Sequence, residues 1–186
     1  MILAGDIGGT KTILALFERD GLTVPVAEET FPSRAHGSFD EIVRVFVSRH
    51  PARISLAGVG VAGPVKNGRS EATNLPWVVD SGRLARDLGI ERAFLLNDLE
   101  AYAHGIEVLQ PEDVYELNAG EPGASGNRAV IAAGTGLGEA GLFWDGASWR
   151  PFGSEGGHTD FAPRDELEIE LLRFLLKEHE RVSWER

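Results

Sequence analysis

Short apolar runs separated by glycine turns dominate the first half of the chain. The runs predict strands over residues 2–6, 12–18, 24–31, 54–61 and 93–96. The first three runs are separated by Gly8-Gly9-Thr10 and Asp20-Gly21, and the second of these pairs is typical of a hairpin turn. The segment therefore begins as consecutive hairpin strands.

Apolar residues at helical spacing lie between the later strands. Ser38 is typical of an N-cap and predicts a helix over residues 39–49. A second helix is predicted between Asp80 and Gly89, because glycine suits the position that follows a helix. A third helix is predicted to begin after the strand over residues 93–96 and to continue to about residue 107. Hairpin strands followed by strand–helix alternation predict an α/β domain with a mixed sheet and flanking helices.

The pattern changes after Pro111. Residues 120–127 are rich in Gly, Pro, Ser and Asn and predict a surface loop, and strands over 128–133 and 141–144 flank a glycine turn. A helix is predicted over 165–180, with an acidic solvated face over an apolar stripe. The stripe consists of Leu167, Leu171, Leu172, Leu175 and Leu176. The predicted domains are residues 1–108, a small α/β domain, and residues 109–186, the incomplete start of a larger α/β domain.

Composition and charge narrow the class of function. The net charge of −11 argues against nucleic-acid binding, although backbone amides can hold phosphate without basic side chains. The chain contains no cysteine, so disulfides and cysteine-ligated zinc are excluded. No apolar stretch approaches the roughly 20 residues of a membrane span, and no signal-peptide pattern is present. We therefore expect a cytoplasmic protein with no nucleic-acid or membrane partner.

The first glycine turn is a candidate phosphate site. Gly8, Gly9 and Thr10 lie between Asp6 and Lys11 at the tip of a predicted hairpin. Glycines let the backbone approach a phosphate, whose oxygens can accept from the amides and the threonine hydroxyl, while the lysine adds positive charge. Asp6 can hold Mg²⁺ directly or through water. The alternative is a tight hairpin whose glycines need positive φ angles.

A second turn, Gly134-Thr135-Gly136-Leu137-Gly138, repeats this arrangement after another apolar strand. Two such turns favour two lobes that close on one polyphosphate. A third stretch, residues 58–63, matches the dinucleotide fingerprint G-x-G-x-x-G, but Pro64 and an Asn67-Gly68 turn follow where the fingerprint needs a helix. We predict there a glycine-lined strand packed closely against neighbouring backbone.

Two polar pairs are candidates for binding sugar hydroxyls. Asn97-Asp98 follows a buried strand, the usual place for a ligand in an open α/β sheet, but both residues are also good helix caps. The loop Glu155-Gly156-Gly157-His158 contains two glycines that permit a bend aiming Glu155 and His158 into the same space. An ordinary surface histidine is the alternative for this loop.

Taken together, five segments resemble the bacterial glucokinase family, within the actin-like, ribonuclease-H-like ATPase superfamily that includes hexokinase. They are LAGDIGGTKT (3–12), ATNLPW (72–77), LLNDLEA (95–101), AAGTGLGEA (132–140) and SEGGHTDFAP (154–163). Their order and spacing also match, across essentially the whole chain. The resemblance implies a ribonuclease-H-like first domain and ATP-dependent phosphorylation of glucose at the 6-hydroxyl, with ATP and Mg²⁺ as cofactors and a homodimer as the assembly.

The resemblance also implies roles for individual residues. Asp98 would be the general base that takes the proton of the 6-hydroxyl, and Asp6 would hold Mg²⁺. Implied contacts to glucose are Asn74, Asn97, Asp98, Glu155, His158 and Glu185, and implied contacts to the nucleotide are Asp6, Gly8, Gly9, Thr10, Lys11, Gly134, Thr135, Gly136 and Gly138.

Members of this family continue beyond the position of Arg186, with a further phosphate motif, an adenosine motif and a last helix. The resemblance therefore implies that these 186 residues alone have little or no turnover. Two alternatives stay open. One is a non-catalytic module of the same fold that senses sugar or nucleotide, against which the retention of Asp6 and Asp98 argues. The other is a kinase for another hexose, such as mannose, fructose or an N-acetylated amino sugar.

Overall fold

The computed structural model describes residues 1–21, 24–72, 75–134 and 136–185. Two of the predicted site residues, Asn74 and Thr135, lie outside the described residues. The chain divides into two compact units, Met1–Ala101 and Tyr102–Arg186. The strands are β1 (Ile2–Ile7), β2 (Lys11–Phe17), β3 (Ala27–Pro32), β4 (Leu56–Val61), β5 (Arg69–Glu71), β6 (Val78–Asp80), β7 (Ala93–Asn97), β8 (Arg128–Ala133), β9 (Leu137–Trp144) and β10 (Trp149–Ser154). The α-helices are α1 (Phe39–Arg49), α2 (Ser81–Leu88), α3 (Asp98–Gly105) and α4 (Glu166–Leu175).

The first unit is built on a five-stranded mixed sheet with the order β3-β2-β1-β4-β7. Strands β1, β2 and β3 pair antiparallel, whereas β1, β4 and β7 pair parallel. This confirms the predicted α/β class. Ile7 pairs with Val61, and Val61 pairs with Asn97, so the carboxyl ends of three parallel strands meet at one edge. Two predicted site segments begin at this edge.

Helices α1 and α2 have the predicted end signals. The Ser38 hydroxyl accepts from the Glu41 amide at 3.2 Å, and the Asp80 carboxylate accepts from the Arg83 amide at 2.7 Å. Gly89 takes the left-handed conformation, with φ of 65°, where a side chain would be strained. The apolar face of α1 is buried in the core of the first unit, through Phe39, Ile42, Val43 and Phe46.

Residues 58–61 of the glycine stretch belong to β4, and no helix follows them directly. After β4 the chain turns at Asn67 and Gly68, which have positive φ angles of 52° and 72°, into the β5–β6 hairpin. A Cβ on Gly60 would lie 3.5 Å from the Cβ of Ala101 and 3.8 Å from the Cα of Asp98. The prediction of a strand is confirmed, but close packing does not require its glycines, because these are ordinary contact distances and a Cβ on Gly58 would meet no described atom within 4 Å.

The second unit contains a three-stranded antiparallel sheet with the order β8-β9-β10. Strand β9 begins at Leu137, earlier than predicted, and β10 was not predicted. Helix α4 ends at Leu175 rather than near residue 180, and none of its residues is buried. The predicted leucine stripe therefore has no core beneath it within the described residues. No helix in the described part of the chain has the length and apolar character needed to cross a membrane.

Candidate functional site

The first glycine turn is held by two buried hydroxyls. The Gly8 amide donates to the Lys11 carbonyl at 2.9 Å, which closes the tip of the β1–β2 hairpin. The Ser33 hydroxyl donates to the Gly8 carbonyl at 2.7 Å and lies 2.9 Å from the Thr12 hydroxyl. Both hydroxyl residues are completely buried. Ser33 was missed from the sequence, because it follows β3 and reaches the turn only through strand pairing.

The turn needs glycine at position 8 for space rather than for a left-handed backbone. Neither Gly8 nor Gly9 is among the described residues with positive φ. A Cβ on Gly8 would lie 3.0 Å from the Lys11 carbonyl oxygen, a tight contact that would need the turn to shift slightly. The reading of this turn as a hairpin that needs positive φ is therefore wrong.

Asp6 lies at the end of β1, next to this turn. Its pKa is raised from the ordinary value of 3.8, chiefly because surrounding protein atoms displace water and secondly because Asp98 is negatively charged. Lys11 acts in the opposite direction. Asp6 nevertheless keeps exposed surface, so a ligand or cation can reach it. The structure thus brings two predicted site carboxylates close enough to repel each other.

Asn97 and Asp98 lie where β7 gives way to α3. The Asn97 side-chain oxygen accepts from the amides of Leu99 and Glu100 at 3.0 and 3.3 Å, and its nitrogen donates to the Gly63 carbonyl at 3.2 Å. Asn97 is therefore a helix cap, as one reading of the pair had it. In Asp98, Oδ1 accepts from the Leu99 amide at 3.0 Å, and Oδ2 takes no part in the hydrogen bonds between described residues.

The second glycine turn lies in the second unit, between β8 and β9. The Gly134 amide donates to the Gly136 carbonyl at 2.9 Å, and Gly138 pairs with Ala132 inside the sheet. A Cβ on Gly136 would collide with the side chain of Glu185. The side chain of Glu185, another predicted site residue, therefore occupies the space beside this glycine.

Glu155, His158 and Glu185 converge in the second unit. The His158 Nε2 atom lies 3.5 Å from a carboxylate oxygen of Glu155 and 3.8 Å from one of Glu185. The Glu185 amide donates to the Gly157 carbonyl at 3.1 Å, which ties the end of the described chain to the histidine loop. His158 and Glu155 are exposed, at 59% and 77% of their side-chain surface, so their polar atoms are available to a ligand. An imidazole between two carboxylates can both donate to and accept from hydroxyl groups.

Few carboxylate or histidine side chains in the described part of the chain lie close enough together to bind a divalent cation. No cluster of three or more His, Asp and Glu side chains suited to a metal occurs within the described residues. Mg²⁺ commonly binds through one or two carboxylates together with substrate phosphates and water. Asp6 fits that pattern, because it is exposed and its negative charge is opposed only in part by Lys11.

Comparison with known proteins places these features in a family. A sequence model described as "Glucokinase" matches residues 3–186. The chain belongs to the glucokinase family. Glucokinase from Nostoc punctiforme is 41% identical over an alignment of 192 positions, which covers 100% of this chain and 56% of the relative.

Solved structures agree with that membership. A glucokinase from an Antarctic psychrotroph is 33% identical with a TM-score of 0.81, and the match covers 99% of this chain and 59% of that one. Glucokinase from Balamuthia mandrillaris in complex with glucose shares the fold, at 21% identity and a TM-score of 0.71, over 99% of this chain and 58% of that one. The chain thus spans somewhat more than half the length of its glucokinase relatives.

Proposed function

We propose that this chain carries the hexose site and part of the nucleotide site of an ATP-dependent glucokinase. One observation supports this most directly. Asn97 takes over the capping of α3 and the contact to Gly63, so the capping bonds leave one oxygen of Asp98 out of the described hydrogen bonds. That carboxylate is at the carboxyl edge of the sheet, where α/β proteins bind ligands.

In the proposed reaction, Asp98 accepts the proton of the glucose 6-hydroxyl. The hydroxyl oxygen forms a bond to the γ-phosphorus of ATP while the bond to the bridging oxygen breaks, which leaves ADP and glucose 6-phosphate. Asn97, Glu155, His158 and Glu185 would orient the sugar through its hydroxyls, and Asn74 is assigned to the same site. Such transfers depend mainly on positioning and charge neutralisation.

The nucleotide would be held by backbone rather than by a large basic surface. We assign the phosphates to the two glycine turns, residues 8–11 and 134–138, whose amides suit anionic oxygens. Mg²⁺, held by Asp6 together with the phosphates, would neutralise charge on the transferred group. The negative net charge of the chain is compatible with this arrangement, because backbone amides carry the anion contacts.

The experiment that tests Asp98 separates chemistry from binding. In the intact protein, Asp98→Asn should lower kcat by about 10²- to 10⁴-fold, the usual contribution of a general base. The glucose Kd, followed by tryptophan fluorescence, should change less than about threefold, because the amide keeps the shape of the side chain. Asp87→Asn, on the exposed face of α2, is the matched control. An unchanged kcat would remove Asp98 from the mechanism.

The same measurements decide between the rival functions. A sensor would bind glucose or Mg-ATP with no phosphoryl transfer by the intact protein. A kinase for a different hexose would give a higher kcat/KM with mannose, fructose or an N-acetylated amino sugar than with glucose. We expect glucose to give the highest kcat/KM of that panel, because the Glu155–His158 loop resembles that of glucokinases.

A further inference from the structure

Gly157 in the histidine loop is required by space, whereas the neighbour of Gly156 is the movable end of a side chain. Neither Gly156 nor Gly157 has a positive φ angle, so the backbone itself does not demand glycine at these positions. A Cβ on Gly156 would collide with a carboxylate oxygen of Glu139, and a Cβ on Gly157 would collide with the carbonyl of Leu137. The loop is therefore packed directly on the first residues of β9.

Strand pairing explains why Glu139 reaches the loop. Glu139 lies opposite Ser154 in the antiparallel β9–β10 pair, and directly opposed side chains project from the same face of a sheet. The Ser154 hydroxyl accepts from the Gly156 amide at 3.1 Å and would lie 3.3 Å from a Cβ at Gly156. The carboxylate of Glu139, the hydroxyl of Ser154 and Gly156 thus form one contact where the loop begins.

The other side of the loop is held by the last described residues. The Glu185 amide donates to the Gly157 carbonyl at 3.1 Å, and the Arg181 guanidinium donates to the His158 carbonyl at 2.8 Å. These bonds hold the second half of the loop. In the first half, the Glu155 and Gly156 carbonyls accept from the His158 and Thr159 amides at 3.0 and 2.9 Å. The contact with Glu139 and Ser154 adds to these bonds.

We propose that Glu139 is a positioning residue of the hexose site. Its carboxylate fills the space that Gly156 leaves open and so sets the direction in which Glu155 and His158 project. Glu139 acts through the loop backbone and has no assigned contact with the sugar or with the nucleotide. The proposal rests on the proposed function, because it takes Glu155 and His158 as the groups that bind the hexose.

A double-mutant cycle tests the contact. In the intact protein, Gly156→Ala and Glu139→Ala should each raise the glucose Kd about fivefold, because either change takes the carboxylate away from the loop. Independent effects would multiply in the double variant. We expect the double variant to stay within about fivefold of the wild type, because removal of the carboxylate makes room for the new methyl group. A product of the two single effects would overturn the proposal.

A conservative variant separates positioning from general stability. Glu139→Gln keeps the shape of the side chain, so its glucose Kd should remain within about twofold of the wild type. Glu139→Ala should raise KM for glucose more than it lowers kcat, with a melting temperature within a few degrees of the wild type. The positioning role would be contradicted if Glu139→Ala raised KM and lowered kcat by equal factors and also lowered the melting temperature, and if Glu139→Gln behaved in the same way. Gly120→Ala, where a Cβ meets open space, is the control for the glycine substitution.

The two proposals fail in different ways. If the intact wild-type protein binds no hexose, the proposed function is wrong. The Glu139 contact is then still decided by melting temperatures, since Gly156→Ala should lower the melting temperature and Glu139→Ala should relieve that loss. No relief would overturn the contact, whatever the ligand.

Discussion

The two units of this chain bury apolar surface to very different degrees. In Met1–Ala101 a single cluster of buried side chains from the sheet, α1 and α2 forms a closed core. In Tyr102–Arg186 the buried apolar residues are few, and helix α4 buries none. Most of the exposed large hydrophobic residues in the described part of the chain also belong to this second unit.

The candidate site residues are therefore held in place by different interactions in the two units. In the first unit, the candidate site residues lie at the edge of a sheet that a hydrophobic core holds in place. In the second unit, Glu155, His158 and Glu185 are held by backbone hydrogen bonds and by glycines packed against neighbouring groups. Hydrogen bonds contribute less net stability than the burial of large apolar side chains. For these 186 residues by themselves, we therefore expect the second unit to unfold at a lower urea concentration than the first.

The largest expected contrast is between two phenylalanines. Phe46 is completely buried against Phe31 and His50, and Phe174 on α4 is 61% exposed. Phe46→Ala should lower the free energy of unfolding by about 3–5 kcal/mol, because it leaves a cavity in a closed core. Phe174→Ala should cost less than about 0.5 kcal/mol. Urea unfolding measures both, and similar losses would show that the second unit has a core after all.

A smaller contrast is expected between two matched helix caps. The Asp80 carboxylate accepts from the Arg83 amide at 2.7 Å, and the Asp165 carboxylate accepts from the Glu168 amide at 2.9 Å. Asp80→Ala should lower the free energy of unfolding by about 1 kcal/mol, because α2 is anchored in the core. Asp165→Ala should instead accelerate amide hydrogen exchange within α4 and leave global unfolding unchanged. Equal global effects would contradict the comparison.

The smallest effect is expected at Asp6. Its raised pKa means that the folded state holds the proton more tightly than the unfolded state, so stability decreases as pH rises through the folded-state pKa. Asp6→Asn should therefore stabilise the protein at pH 7, by less than about 1 kcal/mol because an exposed carboxylate is screened by water. The gain should vanish below the ordinary Asp value of 3.8. A loss of stability at pH 7 would contradict the sign.

Asp145, in the second unit, should titrate in the opposite direction. The Ser148 amide, the Arg150 guanidinium and the Ala147 amide lower its pKa to about 2. The ionised carboxylate therefore contributes stability at pH values above 3.8, which is lost as the pH falls toward 2. NMR titration of the two side chains measures both shifts in one experiment. A midpoint for Asp145 above 3.8 would contradict the hydrogen-bonded turn.

Local sequence signals were sufficient for much of the first unit. Ser38, Asp80 and Gly89 mark helix ends by hydrogen bonds within one turn or by a left-handed φ, so neighbouring residues determine them. The same is true of the Asn67-Gly68 turn. The order of the family motifs likewise identified the family without any structure, because glycine turns and polar pairs at strand ends leave recognisable short patterns.

Contacts between distant residues were decided only in three dimensions. Strand β10 contains Pro151 and Gly153, carries no regular alternation and is a strand because it pairs with β9. The periodic leucines of α4 predicted a buried face, but periodicity does not specify what covers it. Gly136 and Gly156 were read as a phosphate contact and as a backbone bend, respectively. Tertiary packing shows that each leaves space for a particular neighbour, which no spacing in the sequence records.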